Sequence, residues 1–157
     1  MKNKSILIVA LCAALLCIVS CKKDQKGYSG NPVSLGLSVR WAETNAGAGN
    51  RGELGTKMTY DEAIQYASES RKWSLPTQDQ WVELLGSGKV TVNHNNDPAG
   101  FLFVSEEYGD LFLPAGMYLA SDLFDGKIAY VDLTGSSPNY LTTANTEETF
   151  SIRMVRK

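Results

Sequence analysis

Cysteine is confined to the start of the 157-residue chain, at Cys12, Cys17 and Cys21. Everything after Cys21 is therefore without a disulfide, a CxxC redox pair or a thiolate zinc site. Histidine is almost as scarce. His94 is the only one and sits in a polar stretch without a cysteine partner, so a solvated turn histidine is a simpler reading than a metal ligand or a Ser-His-Asp member. No excess of one charge sign exists either: 15 Lys and Arg stand against 17 Asp and Glu, interspersed along the chain. With no basic stripe, nucleic acid is not an expected partner. A phosphate loop is missing too. Gly86-Ser87-Gly88-Lys89 has Glu83 where the first glycine belongs and Val90 after the lysine, so it reads as a helix stop and a turn.

What the N-terminus does contain is a basic start, Lys2 and Lys4, followed by an unbroken apolar run over residues 6–19. Fourteen residues fall short of the about 20 that a bilayer span needs and match the core of a signal peptide. The run ends in Ile18-Val19-Ser20-Cys21, which resembles the lipobox of bacterial lipoproteins, where cleavage leaves a lipidated N-terminal cysteine. Residues 1–20 are thus expected to be a lipoprotein signal peptide and Cys21 the site of lipid attachment, with acyl chains of the palmitate type. An ordinary secretory signal and an uncleaved anchor helix are the alternatives. Several acyl chains hold a protein firmly, since each buried CH₂ adds about 0.8 kcal/mol. Residues 21–31, charged and small, read as the lipidated cysteine and a flexible tether. Without Lys2 and Lys4 the net charge moves from −2 to −4.

Residues 32–157 are long enough for one domain that buries roughly two thirds of its unfolded surface. Val33 to Trp41 alternates apolar with small or polar residues, which predicts a half-buried strand. Residues 45–55, rich in Gly and Asn, predict a loop. Thr59 and Glu62 form a capping box that opens a helix running to about residue 70, with Tyr60, Ala63, Ile64 and Ala67 on one face. Thr77 and Gln80 form a second box. Pro76 biases Leu75 towards extended backbone, Trp81, Leu84 and Leu85 share a face, and Gly86 marks the stop. Beyond it the pattern turns to strands: 89–92, 101–104, 111–113, 117–120, 127–133 and 149–156, with turn chemistry over 93–100, a hairpin loop at 106–110, and turns at 122–126 and 135–139. Two early helices followed by many short strands predict an α+β domain.

Four segments together resemble a known family. VSLGLSVRWAETNAGAG resembles a DLGLSVKWA-x-x-N-x-GA opening, and RKWSLPTQDQWVELL a W-R-[LM]-P-T-x-x-E-[FW]-x-x-L segment. LFLPAGMYLASD resembles F-L-P-A-A-G-x-x-W-S-S, and FSIRMVRK a closing F-S-V-R-P-V-[RK]. In this order they resemble the Bacteroides-type lipoproteins of the Fibrobacter succinogenes major paralogous domain family. The chain departs from the pattern at Ser34, Ser74, Leu119 and Met154, where the family has Asp, Arg, Trp and Pro. The resemblance implies a C-type-lectin-like domain over residues 32–157, with Trp41, Trp73, Pro76, Thr77, Gln80 and Trp81 as structural signature residues. It implies no settled activity, since relatives include adhesins and accessory domains. The calcium triplets common in lectins of this fold class are absent, and so are the cysteines that formylglycine-type catalysis uses.

The functional expectation is therefore a non-catalytic outer-membrane lipoprotein, without cofactor or metal, that binds a glycan or a surface protein. A structural subunit of a surface assembly is the alternative, and a hydrolase carries less weight. Which face of the outer membrane it occupies stays open between the surface and the periplasm. The candidate ligand-binding residues are Asn93, His94, Asp97, Asp122, Phe124, Asp125 and Tyr140. They lie in loops 93–100, 122–126 and 136–145, expected to gather at one end. Tyr108, Phe124 and Tyr140 are the aromatics placed at loops or strand edges, where a ring can stack on a sugar or dock a partner, although closing the end of the core is the simpler reading for any one of them.

Overall fold

The computed structural model describes residues 27–157. The expected signal peptide, Cys21 and the first part of the expected tether lie outside the described residues. The domain is α+β. Two helices, α1 (Tyr60–Glu69) and α2 (Gln78–Gly86), stand between strands β1 (Pro32–Val33) and β2 (Arg40–Ala42) and the strands that follow. These are β3 (Thr91–Asn96), β4 (Ala99–Ser105), β5 (Gly109–Pro114), β6 (Met117–Phe124), β7 (Lys127–Asp132), β8 (Asn139–Ala144) and β9 (Val155–Arg156). They form three antiparallel sheets in the orders β1-β2-β9, β3-β4-β5 and β6-β7-β8. Among the described residues no helix is long and apolar enough to cross a membrane.

Both capping boxes are present. Thr59 accepts from the Glu62 N–H while Glu62 accepts from the Thr59 N–H, and Thr77 and Gln80 do the same for α2. In α1 the buried face runs through Ala63 and Tyr66 instead of Ile64, which is 41% exposed. The larger Tyr66 ring fills the core beside Trp73 and Leu75 and sets the rotation of the helix.

The stretch from Val33 to Trp41 is not one strand. β1 and β2 pair antiparallel, Val33 opposite Trp41, and the chain bends between them through Gly36 at φ +71°. The alternation survives as burial: Leu35, Val39 and Trp41 all enter the core. Their pattern reflects which side chains turn inward, not an extended backbone.

The closing segment also differs from a half-exposed strand. Residues 150–155 are all buried, because neighbours flank them on both sides. Phe150 exchanges backbone hydrogen bonds with Met58, and Val155 with Ser74. Ser151 donates to the Met117 carbonyl, and the Ile152 and Met154 carbonyls accept from Ala46 and Ala42. Phe150, Ile152 and Met154 pack in one core cluster and Val155 in the other. The four signature segments therefore meet around this strip. Trp41 lies 4.8 Å from Trp81, and Trp81 5.8 Å from Tyr118, ring centre to ring centre.

Candidate functional site

A cavity of about 500 Å³ opens between three turns. One wall is Leu35 and Gly36 from the β1–β2 bend. A second is Gly88 to Thr91, which follows α2, and the third is the β4–β5 turn with Glu106, Glu107 and Tyr108. That turn is shorter than the sequence pattern suggests. Ser105 pairs with Gly109, so only three residues remain unpaired and Asp110 already faces Val104 within the ladder. Tyr108 is 58% exposed. A β-carbon on Gly36 would come within 2.6 Å of the ring, so the aromatic edge lies directly against the Gly36 backbone.

Glu83 on α2 ties two of the walls together. Its carboxylate accepts from the Ser38 N–H at 3.1 Å and from the Ser38 hydroxyl, and it faces Lys89 Nζ at 3.8 Å. The result is an open cleft with one exposed aromatic surface, an ammonium group and two carboxylates around it. Such a combination suits a polar ligand with an apolar face.

The residues singled out from sequence do not converge there. Asn93 and His94 lie within β3 instead of a turn, because β3 pairs with the apolar β4 residue by residue as far as Asn96 opposite Ala99. The turn shrinks to Asp97 and Pro98. Polar side chains that read as loop are tolerated on this strand because they face solvent. The His94 ring meets Phe101 edge-on at 5.2 Å, and Asp97 is exposed, its carbonyl accepting from Asn95.

Asp122 has a structural task. Its carboxylate accepts the Gln78 N–H at 2.6 Å, satisfying a free donor at the start of α2 and complementing the helix dipole. Phe124 is 64% exposed at the tip of the β6–β7 hairpin, beside Leu123 at 50%. Asp125 and Gly126 form a two-residue turn with φ of 52° and 73°, the type I′ geometry of tight hairpins. Tyr140 belongs to β8, and its side chain lies outside the described residues.

Register decides how the three loops sit. Met117 and Asn139 both face Asp132, at one end of the β6-β7-β8 sheet, whereas Phe124 faces Lys127 at the other. In an antiparallel meander successive turns fall at opposite ends. The β6–β7 turn and the β7–β8 connection are therefore separated, and the expected gathering of all three loops at one end does not occur. Phe124 does share a small cavity with Gln78, Ala129 and Thr143.

A buried charge that the sequence pattern did not single out lies at the centre. Arg153 is fully buried, donating to the carbonyls of Ala42 at 2.9 Å and Phe112 at 3.0 Å. Burial pushes its pKa down to about 10, against the nearby Tyr118, which raises it. Burial likewise holds the Tyr118 hydroxyl above its usual range, and that hydroxyl donates to the Pro114 carbonyl at 2.7 Å. The only sequence clue was an arginine set among the apolar residues Phe150, Ile152, Met154 and Val155. Among the described residues no three His, Cys, Asp or Glu side chains come together in a way that would hold a metal ion. No family profile, curated protein or solved structure matches the chain.

Proposed function

We propose that the chain is a non-catalytic, lipid-anchored outer-membrane protein of the major paralogous domain type. Its C-type-lectin-like domain binds a glycan at the Tyr108 cleft, at or near the cell surface. The observation that carries this reading is the exposed Tyr108 ring, lying against Gly36, beside Lys89, Glu106 and Glu107. A sugar offers a C–H face for the ring and hydroxyls for the charged groups. The meeting of the four signature segments in one core supports the family reading. The lipobox ending in Cys21 supports the anchor.

A glycan array probed with the mature protein, with and without calcium, tests the binding. Tyr108→Ala is expected to weaken a bound glycan at least tenfold, about 1.4 kcal/mol, without lowering the melting temperature. Full binding by this variant would move the site elsewhere. Protease shaving of intact cells distinguishes display at the surface from a periplasmic-facing position.

A second reading, as a structural subunit of a surface assembly, is favoured by one feature: Leu123 and Phe124 project from a tight hairpin tip with half or more of their surface exposed. Adjacent exposed apolar side chains of this kind fit a partner protein. Co-purification of a stable partner that Phe124→Ser abolishes would support it.

A further inference from the structure

We infer that the pole of the domain where the tether leaves is a docking surface for an anionic phospholipid membrane, engaged through Arg40, Arg71, Lys72 and Arg156. The inference rests on the lipid-anchor reading for its geometry. The chain is pinned at this pole. The Tyr28 N–H donates to the buried Ser70 hydroxyl at 2.7 Å, and the Tyr28 ring meets Trp73 edge-on at 4.8 Å. Gly27 crosses so close to α1 that a β-carbon there would come within 2.4 Å of the Glu69 backbone. Cys21 precedes Gly27 by six residues. Six residues span at most about 20 Å when fully extended, so a lipid on Cys21 keeps this pole near the bilayer.

Unpaired cations cluster at the same place. Arg71 and Lys72 line a cavity of about 480 Å³ with Trp73 and Arg156. The Arg156 guanidinium lies over the Trp73 ring, 5.2 Å from its centre. Arg40 stands directly opposite Arg156 in the β2–β9 pair, on the outward face. Like charges placed directly across a ladder repel, and among the described residues none of these four forms an ion pair. Glu69 is the one carboxylate lining the cavity, and it accepts from Gln65. The adjoining tether adds Lys22, Lys23 and Lys26 against Asp24, in a chain of net negative charge.

A cluster of uncompensated Lys and Arg held beside a bilayer is attracted to anionic headgroups. The short tether favours a membrane over any soluble polyanion, because it fixes what the pole meets. Docking there leaves the Tyr108 cleft free, since the two cavities share no lining residue.

The test uses the protein extracted from membranes and reconstituted into vesicles, either of phosphatidylcholine alone or mixed with phosphatidylglycerol. Acetylation of each lysine is followed by mass spectrometry. Lys72 is expected to react several-fold more slowly on the anionic vesicles at low salt. The protection should vanish near 1 M salt, where screening acts over about 3 Å. Lys89 and Lys127 serve as internal references and should react equally on both. Arg40→Gln combined with Arg71→Gln should remove the protection of Lys72 without changing the melting temperature. Equal reactivity of Lys72 on the two vesicle types overturns the inference, as does equal protection by soluble polyphosphate. Intact mass reads lipidation of Cys21 separately. Its absence would overturn the anchor, while protection by added anionic vesicles would still report on the surface.

Discussion

The indole N–H of Trp81 donates to the backbone carbonyl of Leu119 at 3.2 Å, from the centre of α2 to the middle of β6. One side chain thus joins the helix to the third sheet while its ring packs between Trp41 and Tyr118. Trp81 is fully buried. Trp81→Ala should cost about 3–5 kcal/mol, from lost burial and the cavity left behind. Urea denaturation reads this directly, and an unchanged midpoint would contradict the packing described.

Asp122 offers a sharper contrast. As a cap for Gln78 N–H its loss should destabilise the protein by about 1 kcal/mol. Glycan binding by Asp122→Ala should equal that of the parent protein at temperatures where both are folded. Selective loss of binding with unaltered stability would return Asp122 to the ligand site.

Alkaline pH tests the buried pair. Tyr118 is neutral in the folded and unfolded chain below pH 10. Above that the unfolded chain ionises first, because the folded value is raised, so stability falls as pH climbs towards the folded value. Arg153 acts in the opposite sense. Its folded value of about 10 lies below the ordinary arginine range, so the burden of its buried charge lifts as pH rises above 10. Tyr118→Phe removes the first contribution and, by taking away a group that raises the Arg153 value, leaves Arg153 still further depressed. Its melting temperature should therefore fall less steeply above pH 10 than that of the parent protein, and a steeper fall would refute the assignment.

At acid pH the first capping box is the place to look. The backbone N–H of Thr59 holds the Glu62 carboxylate below its ordinary value, and the Thr59 side chain adds to this. A depressed carboxylate contributes stability above its unfolded pKa, here 4.5, and loses it as pH falls through the folded value. Glu62→Gln should flatten the pH dependence of stability below 4.5 while leaving a neutral acceptor for the cap. An identical slope in the variant would show that the box carries no charge contribution.

Local signals proved the most legible part of the sequence. Thr59 with Glu62 and Thr77 with Gln80 marked both helix starts, because a cap needs only residues three apart and nothing distant. The turn read over 122–126 shrinks to Asp125-Gly126, because β6 runs on to Phe124 opposite Lys127. Tyr108 and Phe124 read as aromatics at loops or strand edges for which core packing was the simpler expectation, yet both are exposed. Less legible was anything set by a partner strand. The polar run from Asn93 to Asn96 has the composition of a loop, yet pairing with Phe101 and Leu102 makes it a strand. The alternation in Val33 to Trp41 described burial correctly and backbone incorrectly.

By itself the sequence determined the two helix caps, the α+β class and the expectation of a lipid anchor at Cys21, which rest on residues close together in the chain. Only the tertiary structure decided that Gly36 would lie under Tyr108, that Asp122 would cap α2, and that Arg40, Arg71, Lys72 and Arg156 would share one face. The physical reason is that register and packing are set by contacts between residues tens of positions apart. The β6–β7 and β7–β8 connections were legible as turns, but only antiparallel pairing sent them to opposite ends of their sheet.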